Sequence, residues 1–251
     1  MQLYIIRHGQ SYNNALWAKN QSENGRLADP HLTEIGEKQA EHLARYVAET
    51  DRLTPPDGAP NAHNRFGYHF THLYTSLMLR AVQTGAPLAE ALAMPLLAWP
   101  IIHEWGGIMG NDAETGAPIP QPGLDRAYFA KHFSGLVLPP DLGDEGWWGK
   151  RPFEPRENSY HRAKQFIHQL LQRHDGTDDR VALVTHGGFT GMMLQVIFNT
   201  QESNTSLRAA ETQTWLVSNN TSITRLDFEE DRILMMYQNR LDHLPANLIT
   251  Y

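Results

Sequence analysis

The chain has no cysteine, which excludes a disulfide framework and any thiolate metal site. Basic excess is also missing. Against 28 Asp and Glu there are 21 Lys and Arg, a net charge of −7, whereas a general nucleic-acid binder carries a basic surface. An anionic small molecule stays open as a ligand, because local Arg and His set the field inside a pocket. There is no internal repeat, no low-complexity tract and no apolar run of membrane-spanning length. The first residues read as a core strand, with neither a basic leader nor a cleavable apolar segment. The expectation is a soluble cytoplasmic protein with no nucleic-acid and no membrane partner.

What is present suits a packed enzyme-sized domain. With 251 residues and 41% hydrophobic content, one α/β domain or one domain plus a cap is expected, and large-scale disorder is excluded. The informative stretch is Leu3-Tyr4-Ile5-Ile6-Arg7-His8-Gly9-Gln10-Ser11. It is a short apolar β-type run that breaks into charge and then glycine. Ligands of open α/β sheets bind just beyond the carboxyl ends of strands. There Arg7 offers a planar cation suited to phosphate, His8 a nitrogen that is nucleophilic when neutral, and Gly9 a close backbone approach. Phe70 to Ser76 repeats this arrangement, with Arg80 opening the helical run behind it. Arg180 to Thr185 repeats it again, followed at once by His186-Gly187-Gly188. Arg7, His8, Arg80 and His186 can therefore converge on one anion, a better account of three matching strand ends than solvated charges or a helix cap.

These motifs resemble those of the histidine phosphatase superfamily, the phosphoglycerate-mutase-like enzymes. The matching pieces are Arg7 to Ser11 with Asn14, Asp29-Pro30-His31-Leu32-Thr33-Glu34-Ile35-Gly36, Thr75 to Thr84, His103-Glu104-Trp105-Gly106-Gly107, Thr185 to Gly188, Asn220 to Thr224 and the late His243-Leu244. They stand in the family's order and span most of the chain. The resemblance implies a three-layer α/β/α sandwich whose mainly parallel sheet has one antiparallel edge strand. It also implies that the Gly- and aromatic-rich stretch 106–156 is an inserted cap that covers the pocket, all within a single domain of residues 1–251.

Along the chain, Ser11 to Asp29 reads as a loop or short helix over the site, and Thr33 as the N-cap of a helix carrying Ile35, Ala40, Leu43, Ala44 and Val47. Residues 50–68 read as an irregular loop. A helix is expected from Leu79 to Ala93, kinked or stopped by Pro87. A short helix is expected at Leu124 to Phe133, with Trp147 and Trp148 packing the cap, then an amphipathic helix from Glu157 to Arg173. A further helix runs through Met192, Met193, Val196 and Ile197. Three strands are expected last, at Thr212–Val217, Ser222–Phe228 and Ile233–Tyr237. Strands near the C-terminus can form an exposed edge or be covered by a second subunit, so the oligomeric state, a homodimer included, stays open.

The chemistry expected is phosphoryl transfer to His8, which splits a hard hydrolysis into two steps. Arg7 and Arg80 grip the non-transferring oxygens, His186 as a cation in the complex donates to the phosphoryl group, and the Gly187 N–H at a helix start adds another donor. Glu104 is the general acid and then the base, carried over from its place in the motif. Gln10 and Asn14 read as phosphate- or substrate-orienting side chains. No metal and no cofactor are expected, the arginines supplying the charge. His63, His69, His72, His161 and His168 read as surface or core histidines, and Lys150, Arg151 and Arg156 as solvated charges or contacts to a second anionic group. The expected substrate is a small phosphomonoester and the enzyme a histidine acid phosphatase-type hydrolase. Phosphoglycerate mutase-type transfer, with a 2,3-bisphosphoglycerate primer, is the alternative. By the resemblance, glycolytic mutases carry a Phe-Thr-Gly-Trp-like stretch and an Arg-His-Tyr-Gly stretch, where this chain reads Glu23 to Asp29 and Trp105-Gly106-Gly107-Ile108. A non-catalytic module binding a phosphorylated ligand is a further, minor alternative.

Overall fold

In the computed structural model, which describes residues 1–22, 24–57, 61–112, 114–149, 151–198 and 216–251, the first strand divides the core. Strand β1 (Gln2–Arg7) is buried on both faces. Tyr4 and Ile6 pack with α2 (Glu34–Thr50) and α3 (Leu79–Ala91), through Leu43, Val47, Ala81 and Val82. Leu3 and Ile5 face the opposite layer, made by α5 (Arg156–His174) and α6 (Gly187–Ile197) through Phe166, Leu170, Phe189 and Met193. A continuous apolar run is what a sheet covered on both sides requires, and each large side chain so buried contributes about 1.5–3 kcal/mol. The result is the α/β/α sandwich that the motifs imply.

The main sheet is completed by β2 (His72–Thr75), β3 (Leu96–Ala98), β6 (Leu136–Val137), β7 (Arg180–Thr185), β8 (Ile223–Phe228) and β9 (Ile233–Arg240), in the order β6-β3-β2-β7-β1-β8-β9. Every pairing from β6 to β1 is parallel, and β8 runs antiparallel to both β1 and β9. Antiparallel pairing is thus confined to one edge, although the reversed strand is β8, one place inside it. The expected strand at Thr212–Val217 falls largely outside the described residues; Leu216 and Val217 are not in a strand. Strands β3 and β6 had no counterpart in the sequence reading, being too short to show periodicity.

Thr33 caps α2 as expected, its hydroxyl accepting from Gly36 N at 3.1 Å. Ser11 and Asn14 form a reciprocal capping box that starts α1 (Tyr12–Asn20). Pro87 lies inside α3, which ends at Ala91 rather than at the proline. The start of α2 sits directly on the backbone after β1. A Cβ on Gly36 would lie 2.1 Å from Gln10 O, and one on Gly9 2.6 Å from Gly36 O, so this approach is open only to a pair of glycines.

Segment 106–156 is structured. Strands β4 (Met109–Asn111) and β5 (Pro118–Pro120) form a two-stranded sheet, α4 (Arg126–His132) follows, and β6 joins the main sheet. Trp147 and Trp148 are buried with Phe129 and Ile108. Arg151 stacks 4.0 Å over Trp148 and donates to the carbonyls of Trp147 and Trp148. It therefore braces this segment, and it is not among the residues lining the cavity described below. Lys150 lies outside the described residues. Among those described, no helix is long and apolar enough to cross a membrane.

Candidate active site

Strands β1, β7 and β2 are neighbours, in register up to Arg7 with Thr185 and Thr75 with Val184. Their carboxyl ends therefore deliver His8 and His186 side by side, with Arg80 arriving from the first turn of α3. The two imidazole rings lie 5.1 Å apart, centre to centre. His8 Nδ1 bonds the Gly9 carbonyl at 2.6 Å. A carbonyl only accepts, so Nδ1 carries the proton and Nε2 keeps its lone pair. Arg80 Nε donates to that Nε2 at 3.1 Å. Burial first, then Arg80 and Arg7, push the His8 pKa well below the ordinary imidazole value, so the ring is neutral at neutral pH.

Buried polar atoms without protein partners occur here. Arg7 Nε and both ring nitrogens of His186 have none among the described residues. Buried polar groups are nearly always paired, so the unpartnered atoms of Arg7 and of His186, whose ring lies beside His8, leave hydrogen bonds open for a ligand. Arg7 is aimed by a bond from Nη1 to Ser218 O and by the ring of Tyr251, 4.9 Å from its guanidinium carbon. Burial, with Arg80 and His8 adding, holds His186 well below its usual pKa. His186 is thus neutral in the ligand-free chain, and the cation expected of it belongs to the complex with a phosphoryl group.

Glu104 faces this group across a cavity of about 330 Å³ whose walls include Arg7, His8, Asn14, Arg80 and Glu104. Its Oε2 accepts from Gly188 N at 2.9 Å and its Oε1 from Trp105 N at 3.0 Å. The start of α6 thus holds Glu104 through Gly188, next to Gly187, which packs against Arg7. Asn14 lines the cavity, and its Oδ1 also accepts from Ser11 and from Asn220 Nδ2. Of the expected residues, Gln10, His186 and Gly187 are not part of the cavity wall. The Gln10 side chain is held by Thr33, whose Oγ1 donates to its Oε1 at 2.7 Å.

Several residues at the site had no assigned role. Asp29 accepts from Leu79 N and lies 3.8 Å from Arg80 Nη1. Burial raises its pKa to about 6, against the opposing pull of Arg80. Asn13 exchanges two bonds with the backbone of Leu27, fixing the turn that brings Arg26 to the cavity. Arg162 on α5 donates to Ile101 O and His103 O, the carbonyls just before Glu104. Met109, Asn111, Pro118 and Phe153 of segment 106–156 close the far wall.

A family model for the histidine phosphatase superfamily (branch 1) matches residues 3–53 and 140–240. No curated protein sequence matches the chain. Among solved structures, a mutant phosphoserine phosphatase from Entamoeba histolytica in complex with phosphoserine is 18% identical. It covers 97% of this chain and 99% of its own, with a TM-score of 0.55. A mycobacterial glucosyl-3-phosphoglycerate phosphatase with VO3 is also 18% identical, over 95% of this chain and 98% of its own, with a TM-score of 0.53. The ecdysone phosphate phosphatase of Bombix mori with tungstate is 14% identical, over 93% and 91%, with a TM-score of 0.55. At these identities the likeness is one of fold.

Proposed function

The chain belongs to the histidine phosphatase superfamily, and on that premise we propose that it is a metal-independent phosphomonoester hydrolase working through a phosphohistidine on His8. The observation that carries this reading is the neutral His8, its Nε2 free of a proton, among Arg7, Arg80 and His186. Bound phosphate takes over the Arg80 contact and exposes the Nε2 lone pair to phosphorus. The Nε2–P bond forms as the ester P–O bond breaks, and Glu104 gives its proton to the departing alkoxide. Water then attacks the phosphohistidine, Glu104 takes back a proton, and the P–N bond breaks to release phosphate and neutral His8. Arg7 and Arg80 balance the charge spread over the equatorial oxygens. His186 donates one hydrogen bond to the phosphoryl group, and becomes cationic when that group offsets its burial. Segment 106–156 acts as the cap, and its apolar wall with Arg26 selects the alcohol part of a small phosphomonoester. That a phosphoserine phosphatase and a glucosyl-3-phosphoglycerate phosphatase share this fold supports hydrolysis ahead of mutase chemistry.

The test is phosphate release from an aryl phosphate and a panel of metabolite monoesters with chelator present, wild type beside His8→Ala. Chelator-resistant turnover in wild type that His8→Ala abolishes is the expected result. Absence of release on every ester, with phosphoglycerate isomerised in the presence of a bisphosphoglycerate primer, would move the reading to a mutase.

A further inference from the structure

At the opposite end of the sheet from His8, three side chains from separate parts of the chain meet. His72 opens β2, His174 ends α5 and Asp179 immediately precedes β7. One nitrogen from each ring and one carboxylate oxygen all lie within 4.8 Å of one another. His174 Nδ1 is 2.9 Å from Asp179 Oδ2, His72 Nδ1 is 3.8 Å from Asp179 Oδ1, and the two rings meet edge to face at 4.7 Å. His174 is buried, while the other two are partly open to solvent.

We infer that His72, His174 and Asp179 form a binding site for one divalent transition-metal ion of the Zn²⁺ type. Two imidazoles and a carboxylate are a borderline donor set that suits zinc, with a fourth position left for water. The surroundings fit as well. A histidine bound to metal through one nitrogen hands its other N–H to an acceptor, and Tyr74 OH stands 3.2 Å from His174 Nε2. In the metal-free chain, Asp179 can only accept, so His174 carries its proton on Nδ1 and Tyr74 donates to Nε2. Metal binding at Nδ1 moves that proton to Nε2 and reverses the Tyr74 bond, which a hydroxyl can do by rotation. Thr71 Oγ1 lies 2.9 Å from His72 Nδ1 and also accepts from Arg180 N, fixing the start of β2 beside β7. The bound ion would clip α5, β2 and β7 together. It stands about 20 Å, the length of a six-residue strand, from the phosphate-binding end, so it takes no part in turnover.

The experiment is calorimetric titration of chelator-stripped protein with Zn²⁺, together with thermal unfolding at increasing Zn²⁺. The proteins compared are wild type, His72→Ala, Asp179→Asn and the double variant His161→Ala/His168→Ala. The last removes two exposed histidines of α5 outside the cluster. One equivalent bound by wild type and by the His161/His168 variant, with a melting temperature that rises with Zn²⁺, is expected. His72→Ala and Asp179→Asn should each bind at least ~10-fold more weakly, the lower bound set by losses at supporting residues alone, and lose the thermal shift. Because His72 is partly exposed, its variant folds and can be compared directly. Equal Zn²⁺ affinity in wild type and His72→Ala, or no binding in wild type, would overturn the assignment and leave a hydrogen-bonded His174–Asp179 pair.

Discussion

Glu104 spends both carboxylate oxygens on backbone donors, Gly188 N and Trp105 N. The contact with Gly188 is close enough that a Cβ there would come within 2.6 Å of Oε1. A carboxyl group pinned in this way is well placed to pass one proton to a leaving group, but it also anchors the first turn of α6. The two roles predict different behaviour for Glu104→Gln. Without a proton to give, kcat on alkyl phosphates is expected to fall by ~10²–10⁴, and much less on nitrophenyl phosphate, whose leaving group needs little protonation. Equal losses on both esters would show that Glu104 only holds α6. At this scale the placement of Arg7, which ends β1, and of His8 and His186, which directly follow β1 and β7, was legible in the sequence, because a strand end fixes where its next side chain goes. The bond by which Thr33, 23 residues on, holds the Gln10 side chain was not. Neither was the neutral state of His186, which comes from burial that a motif does not display.

Helix α5 shows how an element can position a residue on another. Its amphipathic pattern is plain in the sequence, which assigns no role to Arg162 on it. In the fold, Arg162 is buried and makes a two-point pair with Glu154 at 2.6 and 2.7 Å. It also donates to Ile101 O at 2.6 Å and His103 O at 2.9 Å. It thus ties α5 to the end of the 106–156 segment and to the loop that presents Glu104. These partners lie 59 and 61 residues away for the two carbonyls, which is why spacing gave no sign of them. Arg162→Lys keeps the charge but loses the planar fork, and is expected to lower kcat on alkyl phosphates with little change in KM. Arg162→Ala strands Glu154 and is expected to cost about 3 kcal/mol of stability. Positioning is separated from scaffolding by the double variant Arg162→Lys/Glu104→Gln. If Arg162 acts through Glu104, the double variant turns over no more slowly than Glu104→Gln alone. Additive losses would mean that Arg162 serves only the frame.

For the whole molecule, a chain of net charge −7 encloses a centre crowded with cations and imidazoles, and that contrast sets its response to acid. Burial holds His8, His103 and His186 well below the ordinary imidazole pKa and brings His243 down to about 4. Unfolded, all four rings take protons near pH 6.5; folded, they do not until the pH is far lower. The unfolded state therefore binds more protons below ~6.5, so stability is lost as pH falls. Asp29 opposes this. Its folded pKa, raised to about 6, lets the native state bind a proton before an unfolded carboxylate does, restoring one ring's share as the pH falls from about 6 towards ~4. The balance of three protons corresponds to about 4 kcal/mol per pH unit, against a total stability of ~5–15 kcal/mol. Urea midpoints at pH 7, 6 and 5 are expected to fall steeply, with an unchanged m-value. His243→Asn removes one of the four rings outside the phosphate site and should flatten that slope by about 1.4 kcal/mol per pH unit while leaving neutral-pH turnover intact. A midpoint that stayed level from pH 7 to 5 would mean that the interior rings charge without unfolding. His8 would then be protonated in mild acid and lose its nucleophilic lone pair, so phosphate release would fall through the same pH range.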